Sequence, residues 1–134
     1  MVVHHIGYAV RDLKAGIAAF EQLGYTAGGV TRDEARGVRI CFLKSESFPD
    51  TPVTVELIAP DDTPNPVDGT LKKIGPTPYH ICYSTLNLEE EISTLTKDRA
   101  YVLLQPPAPA PALDGRRVAF LYSRTVGLIE LVES

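Results

Sequence analysis

The stretch His4-His5-Ile6-Gly7-Tyr8-Ala9-Val10 decides the reading of this chain, because Tyr79-His80-Ile81-Cys82-Tyr83 repeats it 75 positions later. Sliding one segment onto the other superposes His5 on His80, Ile6 on Ile81, Tyr8 on Tyr83, Leu13 on Leu88 and Ile17 on Ile92. A second repeat then aligns: Val-Glu-Leu-Ile ending at Ile58 matches Ile-Glu-Leu-Val ending at Val132. His5 to Glu56 spans 51 positions (56 − 5), and His80 to Glu130 spans 50 (130 − 80). Each half therefore offers one His and one Glu at nearly the same internal distance. Pseudo-symmetry that brings the halves together would make His5, Glu56, His80 and Glu130 converge on one metal.

Periodicity extends the repeat outward. Ile6, Tyr8 and Val10 alternate with His5, Gly7 and Ala9, as strand side chains do. Ile81 and Tyr83 alternate in the same way with His80, Cys82 and Ser84. The large residues suit packing under a helix. The His-bearing face is otherwise small, which leaves room for a ligand. A helix follows each strand, one from about Leu13 to Leu23 with Asp12 as cap and Gly24 as stop. The other carries Leu88, Ile92 and Leu95 behind the cap Asn87. Strand-like runs come next: Val38 to Lys44, Val53 to Ile58, Arg117 to Ser123 and Leu128 to Val132. Weaker strands are expected near Thr26 to Thr31 and Tyr101 to Leu104. The fold class is α+β, with the order strand, helix and about three strands in each half.

The joins are marked by Pro and Gly. Pro60 to Pro66 reads as a loop, Val67 to Ile74 as a short helix, and Gln105 to Gly115 as an extended, proline-rich loop that could serve as a mobile lid or rim. We expect one domain over residues 1–134, with a first module of about 1–60, a linker of about 61–75 and a second module of about 76–134. A chain of 134 residues, 44% hydrophobic and 22% charged, can bury a core of its own. The net charge of −4 argues against nucleic acid as a partner. No apolar run is long enough for a membrane span, and no signal-like start is apparent, so the cytoplasm is the expected location. Cys41 and Cys82 form no CxxC and read as reduced core thiols. His4 falls on the strand face opposite His5 and reads as structural or exposed.

A carboxylate inside an apolar strand is costly unless it is paired or bound. Two such carboxylates at matching positions, each with a His, make a ligand set suited to borderline divalent metals. Two imidazoles and two carboxylates leave positions open for substrate, which is the mark of a catalytic site. Arg36, Arg39, Arg116, Arg117, Lys72 and Lys73 are candidates for binding the anionic groups of that substrate, with the Arg116-Arg117 pair foremost.

The segments His4 to Val10, Val55 to Pro60, Tyr79 to Tyr83 and Gly127 to Val132 resemble the vicinal oxygen chelate superfamily. That group includes glyoxalase I, methylmalonyl-CoA epimerase, extradiol dioxygenases and the fosfomycin- and bleomycin-resistance proteins. The resemblance implies two tandem βαβββ modules whose curved sheets surround a metal-binding cavity. It also implies that His5, Glu56, His80 and Glu130 are the ligands. A full quartet points to isomerase chemistry, in which a carboxylate takes a proton beside a carbonyl: Glu130 first, Glu56 second. The compact clostridial-type glyoxalase I proteins are the most similar, so a lyase acting on the hemithioacetal of a 2-oxoaldehyde and a thiol is the leading expectation. An acyl thioester epimerase of the methylmalonyl-CoA type is the alternative, with a non-catalytic binder of small molecules or antibiotics third. Glyoxalase I enzymes carry an Arg and an Asn where this chain has Ala9 and Pro60. Epimerases carry a Glu where it has Ala35, with Glu34 one position away. By the same analogy the expected cofactor is one divalent metal per site, nickel or cobalt before zinc, in a homodimer.

Overall fold

The structure, a computed structural model, describes residues 1–45 and 53–134. They form nine strands, three α-helices and one turn of 3₁₀-helix, a mixed α+β arrangement dominated by sheet. The chain groups into two compact units, 5–79 and 80–134, with Met1–His4 belonging to the second. Residues 61–79, read as linker and start of the second module, group with the first unit, and Val67 and Leu71 among them are buried.

The first unit runs β1 (Val2–Ala9), α1 (Leu13–Gln22), β2 (Tyr25–Asp33), β3 (Val38–Ser45), β4 (Thr54–Pro60) and α2 (Asp68–Lys73). Its strands lie in the order β2-β3-β4-β1, with β1 and β4 parallel and the others antiparallel. Residues 80–134 hold most of β5 (Thr77–Thr85), followed by α3 (Leu88–Thr96), β6 (Val102–Leu103), β7 (Ala108–Pro109), β8 (Arg117–Ser123) and β9 (Gly127–Glu133). Here the order is β5-β9-β8-β6, with β7 also paired to β8. The two parallel pairs, β1 with β4 and β5 with β9, occupy matching places in the repeat.

Both helix starts behave as their caps predict. The Asp12 carboxylate accepts the Ala15 amide at 2.8 Å, and the Asn87 side chain accepts the Glu90 amide at 3.1 Å. Each satisfies an amide that the first helical turn leaves without a partner. α1 contributes Leu13 to a core with Val10, Cys41, Leu43, Val55, Leu57 and Ala59, and Tyr8 meets Phe20 edge to face at 5.2 Å. α3 contributes Leu88, Ile92 and Leu95 to a core with Ala119, Leu121, Ile129 and Leu131, joined by Tyr83. Leu57 and Leu131, each beside a Glu of the repeat, are fully buried. Burial of such a side chain contributes about 1.5–3 kcal/mol. Both cysteines are free and buried, and burial pushes the Cys41 thiol above its ordinary range.

Three local expectations need adjustment. β2 runs from Tyr25 to Asp33, longer than Thr26 to Thr31, because Tyr25 pairs with Ser45 and Asp33 with Val38 at its ends, and its register against β3 shifts between Ala27 and Val30. Gly28 and Gly29 fill that irregularity, as extra residues in a bulge commonly do. β6 is shorter than expected, and Pro106 and Pro107 beyond it have no amide donors with which to continue it. The proline-rich segment is not a loose lid. Ala108–Pro109 pairs with β8, and a 3₁₀ turn follows at Pro111–Leu113. The Ala110 amide donates to Arg116 at 3.0 Å, while Ala110 and Leu113 are buried.

Candidate metal and substrate site

In the first unit, strand register puts Gly7 directly beside Glu56 and Phe42 on its other flank. Side chains at matched register share a face, so Glu56, Ile58, Phe42, Ile40, His5 and Ala9 line the side away from α1. With no side chain at Gly7, the His5 imidazole reaches Glu56: Nε2 lies 3.5 Å from Oε2. Phe42 stands edge-on to His5, ring centres 5.2 Å apart and planes at 79°, which restricts the tilt of the imidazole.

The second unit repeats this design. Cys82 lies beside Glu130 and Phe120 flanks it on β8. His80 Nε2 is 2.9 Å from Glu130 Oε2, and Phe120 stands edge-on to His80 at 5.5 Å and 87°. All four polar residues are buried, His5 at 1%, Glu56 at 4%, His80 at 4% and Glu130 at 3% exposure. The residues the repeat singled out are thus brought together as His5 with Glu56 and His80 with Glu130. Phe42 and Phe120 were not read as site residues, although Phe-Leu recurs in both halves and marked them.

These pairs pass a simple test for metal binding. Nitrogen and oxygen ligands of a first-row divalent ion sit about 2.0–2.2 Å from it. Two such atoms at right angles are then about 3 Å apart. Separations of 2.9 and 3.5 Å between Nε2 and Oε2 suit a shared cation. The donor chemistry fits as well, since imidazole and carboxylate together favour such ions.

The charged residues expected to hold substrate are placed less uniformly. Arg117 is engaged on three sides: Nε and Nη2 donate to Glu133 at 3.1 and 2.7 Å, and Nη1 to Glu89 at 2.6 Å. Arg116 donates to the Leu113 carbonyl at 3.2 Å and its Nη2 lies 3.3 Å from His4 Nε2, so His4 is half-buried and held rather than loose. Arg36 pairs with the buried Asp33 at 2.7 Å, and Arg39 shares Asp61 with Arg32. Glu34, in the β2–β3 turn, is 79% exposed and lies 3.6 Å from Arg32. It stands in solvent, not beside His5 or Glu56.

The Arg117 cluster carries a pH signature. Hydrogen bonds from Arg117 hold the carboxyls of Glu133 and Glu89 below the usual range. A depressed folded-state value gives stability that is present above the unfolded value and is lost as pH falls through the folded one. Arg117→Ala is therefore expected to lower the melting temperature slightly near neutrality. The difference from wild type should close as pH drops below the carboxylate range. An unchanged difference in acid, followed by calorimetry, would remove the cluster as its cause.

No helix among the described residues is long and apolar enough to cross a membrane. No curated protein matches the sequence significantly. Among solved structures, a hypothetical protein from Bacillus halodurans is 26% identical, with a TM-score of 0.82 over 98% of this chain and 93% of that one. A Streptomyces coelicolor methylmalonyl-CoA epimerase variant, solved in complex with 2-nitronate-propionyl-CoA, is 26% identical with a TM-score of 0.83, covering 100% and 97%. The epimerase from Mycobacterium tuberculosis shares the fold at 24% identity and a TM-score of 0.84, covering 98% and 87%. The family described as the Glyoxalase/Bleomycin resistance protein/Dioxygenase superfamily matches residues 4–120. With that match spanning most of its length, this chain belongs to the glyoxalase/bleomycin resistance/dioxygenase superfamily.

Proposed function

We propose that this protein is a metal-dependent isomerase that moves the α-proton of an acyl-CoA thioester, in the manner of a methylmalonyl-CoA epimerase. The observation that carries this reading is a full-length likeness to epimerases solved with acyl-CoA compounds, joined to a buried His–Glu pair in each unit. The motifs alone favour a glyoxalase I-like lyase. Two positions weaken that choice: Ala9 is fully buried and Pro60 ends β4, so neither offers a hydrogen-bonding side chain to glutathione.

In this reading His5, Glu56, His80 and Glu130 hold one divalent ion, nickel or cobalt before zinc. A bound ion would polarise the thioester carbonyl and so acidify the neighbouring C–H. Glu130 takes the proton from the α-carbon through a carboxylate oxygen. Glu56, its counterpart in the repeat, enters the step as the carboxylic acid and gives its proton to the opposite face; proton exchange with solvent between turnovers restores Glu130 as the base. Glu34 is too exposed for that task. The edge-on Phe42 and Phe120 keep the imidazoles oriented while the carboxylates move, and the buried setting excludes the water that would compete for the proton.

The test is a competition in heavy water, with nickel-loaded protein offered methylmalonyl-CoA and the hemithioacetal of methylglyoxal and glutathione. Deuterium appearing at the α-carbon of the acyl-CoA alone is the expected result. Conversion of the hemithioacetal alone would replace this reading with the lyase. Neither reaction, with tight binding unaffected by chelation, would leave a binding protein.

A further inference from the structure

An acidic chain that uses an anionic substrate needs a local cationic seat for it. Arg32, Arg36, Arg39 and Arg117 cannot supply one without breaking ion pairs. Arg116 is turned to the Leu113 carbonyl and His4, whereas Arg11 and Lys72, among the described residues, have no carboxylate at ion-pair distance. Both line an open cleft of about 370 Å³ in the first unit, together with Pro60, Asp68 and Leu71. The acid in that cleft, Asp68, keeps its charge, with Oδ2 accepting from Asn65 Nδ2 at 2.8 Å.

Arg11 is also held in place. Its Nη2 donates to the Leu71 carbonyl at 3.4 Å, and its guanidinium lies against Gly75. Gly75 has φ +94°, and a Cβ there would come within 3.3 Å of Nη2. A glycine at this position therefore suits both the backbone and the guanidinium. The remaining N–H groups are free to face an anion, in the planar fork that matches phosphate oxygens.

We infer that the Arg11–Lys72 cleft binds the phosphate groups at the nucleotide end of a coenzyme A thioester. The identity of the carrier rests on the proposed function, whereas the cleft's preference for phosphate does not. Position supports the choice. Pro60 lies four residues beyond Glu56 on β4, on the same face, so the cleft begins about 13 Å from the ligand pair along the strand. A pantetheine arm separates reactive carbonyl from phosphates by such a span. The carboxylates of glutathione lie much nearer its thiol.

The test uses adenosine 3′,5′-bisphosphate as a probe and compares wild type with Lys72→Ala, Arg11→Ala and the double variant by calorimetry. Lys72 is exposed, so its single variant is expected to fold even where Arg11→Ala does not. Wild type should bind the bisphosphate, the double variant about tenfold more weakly, and S-methylglutathione should not compete. In turnover, the Michaelis constant for an acyl-CoA should rise about tenfold, with kcat unchanged and the corresponding acyl-pantetheine unaffected. A tenfold change corresponds to about 1.4 kcal/mol. Equal bisphosphate binding by wild type and Lys72→Ala, or an equal rise for both thioesters, would overturn the site. Bisphosphate binding that depends on Lys72, with no turnover of any thioester, would keep the cleft and reject the epimerase reading.

Discussion

Glu130→Gln is expected to lower turnover of the acyl thioester by about 10²–10⁴-fold, the usual contribution of a positioned acid–base group. Glu130 lies 2.9 Å from His80 and is 3% exposed, so the substitution keeps the shape of a tightly packed site. Glutamine retains one carbonyl oxygen as a ligand but cannot take a proton. The loss should therefore fall on kcat, with the Michaelis constant little changed. Metal content must be measured beside the rate, because Gln is also the poorer ligand. Saturating the variant with nickel should leave most of the deficit. Recovery to within tenfold of wild type would make Glu130 a ligand and nothing more. Glu56→Gln provides the internal control: it should impair epimerisation while still allowing Glu130 to exchange the α-proton with solvent. Equal losses of exchange in both variants would sink the division of labour between them.

Metal removal should have the second-largest effect. A ligand that binds only the folded state stabilises it by about 2.7 kcal/mol when present at a hundredfold excess over its dissociation constant. For a chain of this size that shifts the melting temperature by on the order of 10 °C. Stripped protein titrated with nickel, cobalt or zinc should gain that increment. The proposed arrangement, with both His–Glu pairs serving one ion, makes one equivalent per chain the expected stoichiometry. His80→Ala should abolish the increment, and should also destabilise the stripped protein by leaving a buried carboxylate without its imidazole partner, a loss of about 1–3 kcal/mol. Glu130 is the residue left in that position. A stripped protein whose melting temperature ignores all three metals would end the metal reading, whatever the activity.

Much of this was legible before any coordinates. Two His and two Glu at matched spacing are visible because a duplicated module writes its buried His–Glu pair twice. The caps Asp12 and Asn87 were legible too, since a cap bonds to an amide only three residues away. Strand faces follow from alternation, which is why the small face carrying Gly7 and Cys82 could be foreseen beside each Glu.

Tertiary structure decided what depends on residues far apart in the chain. Arg117 looked like a substrate ligand until β8 and β9 paired and placed Glu133 across from it, with Glu89 arriving from α3. Arg39 met Asp61 through the pairing of β3 with β4. The seat of Arg11 depends on Leu71 and Gly75, which only folding sets beside it. Local geometry and repetition are encoded over a few residues and can be read directly. Whether a given cation is neutralised or available is set by register and long-range packing, and no short stretch of sequence contains its partner.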